Sequence, residues 1–209
     1  MEKCFAAMSD TEISTTPPTY VIYDLETTGL DSAYDDLIQI AAVRFFQGKL
    51  IEEDSFFSFA RPRQSISSFI QSYTGISNRD VVSAPRPGQV LCDFSRWVGS
   101  STLIAHNGLR FDSKFLTATS ERLGAATREI SCIDSIHISK MLFGKERGIK
   151  HSLDHVKARL SLADSALRRH DARGDVDLLG RAVEVMAKRL GLNESFHGVP
   201  RHVSLLPNV

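Results

Sequence analysis

Hydrophobic residues cluster along this chain in two different ways, and the change between them predicts the order of its structural elements. In the first part, apolar runs rich in β-branched and aromatic residues begin at Tyr20 and recur at 37–46 and at about 50–59. Such runs are typical of β-strands. Residues 47–49 include one glycine and form a short connection between the last two runs, which predicts an antiparallel hairpin.

Farther along the chain, apolar residues recur every three or four positions, which is the spacing of a helix with one buried face. The clearest example runs from Val176 to Leu190 and stops at Gly191, and residues 111–123 follow the same pattern. A short apolar run at 103–106 predicts a buried strand among these helices. Strands that come first, followed by helices interleaved with short strands, favour an α/β domain whose mixed sheet is covered by helices.

The two ends of the chain lack these patterns. Residues 1–19 are polar, rich in serine and threonine, and end close to two prolines, which predicts a disordered leader. Residues 192–209 contain two further prolines and predict an irregular C-terminal tail. The folded domain is therefore expected to span residues 20–191.

Composition and charge restrict the classes of protein to which the chain can belong. Its 209 residues are 42% hydrophobic, which is enough for one domain with a sizeable core. The 25 basic side chains balance the 25 acidic ones, so contacts with nucleic acid must be local. The sequence has no signal-peptide pattern and no apolar stretch near the ~18 residues of a membrane span. Three widely spaced cysteines favour a reducing compartment, so we expect a soluble cytoplasmic protein that does not contact membranes.

Two acidic residues stand near the end of the first predicted strand. Asp24 and Glu26 are two positions apart, so on a strand their side chains point to the same face. Two carboxylates so close together repel each other and lose hydration unless a cation lies between them. Taken alone, the pair is consistent with either a metal site or an exposed acidic turn. Residues 27–29, two threonines and a glycine, would let a ligand approach the backbone.

Three residues later in the chain could complete such a site. Asp112 stands at the predicted start of a helix, where the helix dipole favours a charged carboxylate. His170 and Asp175 are five positions apart, with Gly174 between them. A helix that begins near Asp175 would leave His170 on the preceding loop, where it could exchange protons near neutral pH. With the pair on the first strand, the four carboxylates suit two hard divalent cations such as Mg²⁺ or Mn²⁺.

Three segments in this order resemble the motifs of the DEDDh 3′–5′ exonucleases, the group of the polymerase III epsilon proofreading subunit, oligoribonuclease and the three-prime repair exonucleases. Asp24-Leu-Glu-Thr-Thr-Gly-Leu30 resembles the first motif, and residues 103–112, which end in Phe-Asp, resemble the second. His170-Asp-Ala-Arg-Gly-Asp175 resembles the third, with the histidine spacing of the h branch. The second motif has three residues between His-Asn and Phe-Asp, a form more similar to the three-prime repair branch than to the epsilon-like members.

The resemblance implies a ribonuclease H-like α/β fold with a central mixed five-stranded sheet flanked by helices. It also implies that Asp24 bridges two divalent ions, Mg²⁺ or Mn²⁺. Glu26 and Asp175 then complete the ion on the nucleophile side, whereas Asp112 holds the second ion, partly through water. His170 is the implied general base that acts on the attacking water.

The implied reaction is metal-dependent 3′–5′ hydrolysis that releases nucleoside 5′-monophosphates from single-stranded DNA or a frayed duplex end. RNA is the alternative substrate, because nothing in the sequence identifies a contact to a 2′-hydroxyl group. A non-catalytic nucleic-acid binder or polymerase accessory module is a third interpretation, and the complete set of five site residues argues against it. A polymerase or another replication or repair protein is the expected protein partner. The oligomeric state stays open, with a homodimer among the alternatives.

Several other residues are candidates for contacts with the substrate. Near the acidic residues, the candidates for binding the terminal nucleotide are Thr27, Thr28, His106, Asn107 and Phe111. Basic residues that could contact phosphates farther along the strand are Arg61, Arg63, Lys145, Arg147 and Lys150. His151 and His155 could share a helix face, but no cysteine or carboxylate pattern accompanies them, so we predict no zinc site there.

Overall fold

The computed structural model describes residues 18–163, 171–192 and 195–209. Within these ranges, six strands form one mixed sheet and seven helices accompany it. The strands are β1 (Tyr20–Thr27), β2 (Leu37–Phe46), β3 (Lys49–Phe59), β4 (Thr102–Ala105), β5 (Thr127–Asp134) and β6 (Arg201–Pro207). The helices are α1 (Ser68–Thr74), α2 (Asn78–Val81), α3 (Pro87–Val98), α4 (Asp112–Leu123), α5 (Ser135–Phe143), α6 (Leu153–Leu160) and α7 (Ala172–Leu190).

The strand β1 lies inside the sheet, whose order is β3-β2-β1-β4-β5-β6. It runs antiparallel to β2 along its whole length and parallel to β4. The parallel pairing covers only Tyr20–Ile22 of β1. The sheet is therefore open on the β4 side of the last residues of β1, where the acidic pair lies.

The two faces of β1 belong to two separate hydrophobic cores. Tyr20 and Ile22 pack in a core with residues of α5, α6 and α7. Val21, Tyr23 and Leu25 pack in a second core with residues of α3 and α4. Because side chains alternate along a strand, Asp24 and Glu26 continue the series of Tyr20 and Ile22 and face α7.

The predicted hairpin and the predicted last helix are both confirmed. Strands β2 and β3 pair in antiparallel register, and the two residues between them, Gln47 and Gly48, both have positive φ, as the tight turns of hairpins require. Helix α7 runs through the predicted segment and ends at Gly191, whose φ of 69° places it in the left-handed region that glycine adopts readily.

The sheet contains a sixth strand where the sequence predicts an irregular tail. Residues Arg201–Pro207 form β6, which pairs antiparallel with β5 along its length. The prediction for this part of the tail, and with it the expected count of five strands, is wrong. The usual alternation of apolar and polar residues is weak in this segment, because β6 is an edge strand whose residues are partly exposed. Only some of them, such as Ser204 and Leu206, are buried. The predicted disordered leader lies outside the described residues, except for Pro18 and Thr19.

Among the described helices, none combines the length and the hydropathy that a membrane crossing requires.

Candidate active site

Three of the four predicted carboxylates converge at the end of β1. One carboxylate oxygen from each of Asp24, Glu26 and Asp175 lies within 4.8 Å of the other two. Asp24 and Glu26 reach this point from β1, and Asp175 reaches it from the first turn of α7. The side chain of Asp24 is half-buried, whereas Glu26 and Asp175 are buried. Such a cluster of acids requires a positive charge nearby to remain ionised.

The start of α7 is fixed by two hydrogen bonds that hold Asp175 in place. The side chain of Asp171 caps the helix by accepting a hydrogen bond from the amide of Arg173. The amide of Ala172 donates to Oε1 of Gln39 over 2.8 Å. Gln39 is fully buried in β2 and stands opposite Glu26 in the strand register. One side chain of β2 therefore connects the strand pair that carries Glu26 to the helix that carries Asp175.

Replacing Gln39 by methionine is expected to lower the free energy of unfolding by about 1–3 kcal/mol, because the buried amide of Ala172 loses its acceptor. The same change should weaken the response of the protein to Mg²⁺, because the start of α7 loses its connection to β2. Denaturant unfolding with and without Mg²⁺ measures both effects. Gln89→Met, at an exposed position of α3, is the control. Equal stability of the two variants would contradict this role of Gln39.

Asp112 occupies the same cleft from the opposite face of the sheet. It is the first residue of α4 and only 2% exposed. Burial raises the pKa of Asp112 to about 7, and the nearby charge of Asp134 adds to this rise. Hydrogen bonds from the backbone amides of Asp112 itself and Leu25 oppose the shift in pKa. Within the described part of the chain, Oδ1 of Asp112 has no hydrogen-bond partner.

These acidic residues fit divalent cations. The cleft has a volume of about 270 Å³, and its described lining includes Asp24, Glu26, Asp112 and Asp175 but no lysine or arginine. Carboxylate oxygens are the preferred ligands of Mg²⁺ and Mn²⁺. Among the described residues, Oδ1 of Asp112 is buried without a hydrogen-bond partner, and a bound cation or one of its water molecules would supply that partner. The acidic cluster is therefore compatible with divalent metal binding.

The raised pKa of Asp112 predicts that Mg²⁺ binding depends on pH. A carboxyl whose folded pKa lies above its unfolded value stabilises the metal-free fold at low pH, and this contribution is lost as the pH rises through about 7. Below that pH a cation must displace the proton, so Mg²⁺ affinity should fall about tenfold per pH unit. Calorimetric titration at pH 6 and pH 8, in a His170→Asn background, measures the change without the histidine. Asp112→Asn should flatten the dependence, and equal affinities at both pH values would contradict the prediction.

A tight turn after β4 brings further polar groups to the cleft. Nδ1 of His106 lies 2.8 Å from Oγ of Ser135. Asn107 has a φ of 60°, in the left-handed region that asparagine adopts more readily than most other residues with a side chain. The buried carboxylate of Asp134 stabilises this turn, because it accepts hydrogen bonds from the amides of Asn107 and Leu109. It also accepts a hydrogen bond from the amide of Ile136 at the start of α5. Asp134 is thus both the cap of α5 and the support of the turn.

Asp134 is a supporting residue that the sequence interpretation did not assign. The signal was present, since an aspartate between an apolar run and a helical pattern is typical of a helix cap. The second function, holding a turn at residues 106–109, depends on the parallel pairing of β4 with β5. That pairing is not visible in the sequence around Asp134.

Some of the other predicted site residues line the acidic cleft and some do not. Thr27, His106, Asn107 and Phe111 line the cleft together with the four acids. Thr28 does not, because its hydroxyl donates to Asp35 and accepts from the amide of Asp36. The basic residues proposed for phosphate contacts are also absent from the described cleft lining. His170 lies outside the described residues, directly before Asp171 in the chain.

Acidic residues stand at the end of a central strand of this mixed sheet and at the starts of two flanking helices. Such an arrangement is suited to a hydrolytic enzyme that uses divalent cations. A family model for exonucleases, of the RNase T type, matches residues 21–182. The chain belongs to this exonuclease family.

Curated relatives of the chain are much longer proteins. It is 32% identical over 204 residues to a DNA polymerase III PolC-type from Bacillus cereus, and the match covers 90% of the chain but 14% of that protein. It is 38% identical over 136 residues to a DNA polymerase III PolC-type from Staphylococcus aureus, a match that covers 65% of the chain and 9% of that protein. The chain thus spans only a small part of these relatives.

Solved structures share the fold at low sequence identity. The nuclease domain of 3′hExo, a DEDDh family member bound to rAMP, is 18% identical with a TM-score of 0.72, and the match covers 91% of this chain and 98% of that one. Exonuclease X in complex with 5′ overhanging duplex DNA is 22% identical with a TM-score of 0.64, covering 82% of this chain and 93% of that one. These matches establish the ribonuclease H-like fold that the sequence resemblance implied.

Proposed function

We propose that the chain is a metal-dependent 3′–5′ exonuclease that acts on single-stranded DNA or a frayed duplex end and releases nucleoside 5′-monophosphates. The observation that carries this proposal is the convergence of four carboxylates in one cleft, three of them with oxygens within 4.8 Å of one another. A structural cluster of acids would be costly without a cation. A cleft that holds cations can admit a phosphodiester, because the cations reverse the local charge.

In this proposal the four acids hold two divalent ions, Mg²⁺ or Mn²⁺. Asp24, Glu26 and Asp175, which converge at one point, would hold one ion, and Asp112 would contribute to the other. Bound there, such ions would supply the activation of a water molecule and the stabilisation of the leaving oxygen. His170 accepts the proton of the attacking water, for which an imidazole with a pKa near neutrality is suited.

The walls of the cleft support a single-stranded substrate. Leu30 and Tyr73 line the cleft and are 86% and 49% exposed. Tyr73 stacks on Phe69 of the same helix with ring centroids 6.2 Å apart and an interplanar angle of 11°. Exposed apolar and aromatic side chains beside a phosphate site are suited to unpaired bases, which stack on aromatic rings.

DNA is the preferred substrate in this proposal, because the curated relatives are DNA polymerases. RNA is the second candidate, since one structural neighbour was solved with rAMP. The same relatives favour a polymerase as the physiological partner. The described residues of the cleft include Thr27 and Asn107, which could bind the terminal sugar of either nucleic acid.

The proposal is tested with 5′-labelled single-stranded DNA and RNA of matched sequence, incubated with Mg²⁺ or Mn²⁺ and with EDTA. We expect successive shortening from the 3′ end, nucleoside 5′-monophosphates as products, faster hydrolysis of DNA and complete inhibition by EDTA. Faster hydrolysis of RNA would favour the second candidate. Intact oligomers in every metal, combined with tight binding, would favour the non-catalytic interpretation and exclude the proposed enzyme.

A further inference from the structure

Three arginines line one groove on the face of the sheet that α3 and α4 cover. Arg63 precedes α1, Arg86 precedes α3, and Arg122 lies in the last turn of α4. All three border a groove of about 880 Å³, and Asp36 is the single acidic residue in its described lining. The lining therefore carries a net charge of about +2, in a chain whose total charge is zero.

Two of the guanidinium groups, those of Arg63 and Arg122, are close enough to repel each other. Burial lowers the pKa of Arg122, and the neighbouring charge of Arg63 lowers it further. Asp36 is buried and accepts hydrogen bonds from Nε of Arg63 over 3.0 and 3.1 Å. Nη2 of Arg122 lies 3.7 Å from the same carboxylate. One acid thus offsets part of the positive charge of two arginines, and Arg86 adds a third.

A structural role explains two of these arginines but leaves the third unexplained. Arg63 donates to the carbonyl oxygen of Tyr34, and Arg122 donates to the carbonyl oxygen of Ser32, so both stabilise the loop that connects β1 to β2. Arg86 donates only from Nη1, to the carbonyl oxygen of Pro62 over 3.2 Å, among the hydrogen bonds of the described residues. Its guanidinium therefore keeps further donors for an anion, and the fork geometry of such donors matches phosphate oxygens.

One loop separates this groove from the acidic cleft. The amide of Thr28 donates to the carbonyl oxygen of Asp36 over 2.9 Å. The residues beside Thr28, namely Thr27 and Gly29, line the cleft, whereas Asp36 lines the groove. The exposed Leu30 lies on the cleft side of the same loop. The loop that borders the acidic cleft therefore also borders the groove.

We propose that this arginine groove binds the phosphodiester backbone of the substrate strand, 5′ to the nucleotides held in the cleft. The inference rests on the proposed nuclease function, and it adds a second binding site that has no part in the chemical step. The groove contributes affinity for longer strands through charge, with no contact to bases. Short substrates that end within the cleft do not use it.

The test compares Arg86→Gln with Arg189→Gln, which removes an exposed arginine from the last turn of α7, outside the groove. Binding of a DNA oligomer of about twelve nucleotides, with phosphorothioate linkages at its 3′ end that resist hydrolysis, is measured by fluorescence anisotropy in Mg²⁺ over a range of salt concentrations. Arg86→Gln should weaken binding about fivefold and reduce the slope of log K against log salt by about 0.7, the value for one phosphate contact on a single strand. Arg189→Gln should leave both unchanged. Arg86→Lys, which keeps the charge, should restore the slope.

Steady-state hydrolysis with Mg²⁺ supplies the second readout. Arg86→Gln should raise KM for the long oligomer with kcat unchanged, and leave the hydrolysis of a dinucleotide unaffected. Equal binding by the Arg86→Gln and Arg189→Gln variants would overturn the proposed groove. Equal losses of activity on the dinucleotide and the long oligomer would also overturn it, because they would indicate a structural effect of the substitution. A wild-type chain that binds the oligomer without hydrolysing it would contradict the proposed enzyme, while the binding comparison would still decide on the groove.

Discussion

Asp24→Asn is expected to lower nuclease activity by at least about 10³-fold, comparable with the loss of one strong electrostatic contact in other hydrolases, while the protein remains folded. Asparagine keeps the shape of the side chain but removes the charge at the centre of the acidic cluster, within 4.8 Å of oxygens of Glu26 and Asp175. Removing one of several like charges relieves repulsion. The thermal midpoint in EDTA should therefore stay the same or rise, and the increase that Mg²⁺ produces in wild type should be lost.

Asp177→Asn is the matched control for this prediction. Asp177 stands two residues after Asp175 on α7, where it forms an ion pair with Arg181 on the surface. The same substitution there should leave activity and the Mg²⁺ response near wild type, because exposed pairs of this kind contribute at most about 1 kcal/mol. Activity retained by Asp24→Asn would remove the metal site from the mechanism, and unfolding of the variant would make Asp24 a structural residue instead.

His170→Asn is expected to lower kcat by about 10²–10⁴-fold, the usual contribution of a general base. The histidine directly precedes Asp171 in the chain, and Asp171 caps α7 one turn before Asp175, a proposed metal ligand. Because His170 is not among the proposed ligands, the increase in thermal midpoint with Mg²⁺ should persist. Single-turnover hydrolysis and thermal unfolding with and without Mg²⁺ separate these two effects.

His155→Asn provides the control for the histidine, since His155 is exposed on α6 and lies outside the cleft lining. Its replacement should leave kcat unchanged. If His170→Asn hydrolysed DNA at the wild-type rate, the general base would have to be another group. If it lost both hydrolysis and the Mg²⁺ response, His170 would act in metal binding or in the folding of the site.

The local elements of the fold were predictable because their signals are local. The hairpin of β2 and β3 follows from two apolar runs around a turn with glycine, and α7 follows from its helical spacing and its terminal glycine. The strand β6 was missed because an edge strand shows a weak alternation, and its place depends on pairing with β5 about seventy residues earlier. Long-range pairing leaves little trace in the neighbourhood of either strand.

The sequence alone determined the chemistry that this protein can carry: four acidic residues and a histidine in a specific order, with two acids on one face of a strand. The tertiary structure decided how they meet. It brings Asp24, Glu26 and Asp175 to one point and encloses Asp112 deeply enough to raise its pKa. It also brings Gln39 into a hydrogen bond with the start of α7, although Gln39 and Ala172 are 133 residues apart in the sequence. Burial and convergence depend on contacts between distant segments, so only the folded chain turns an acidic strand end into a candidate metal site.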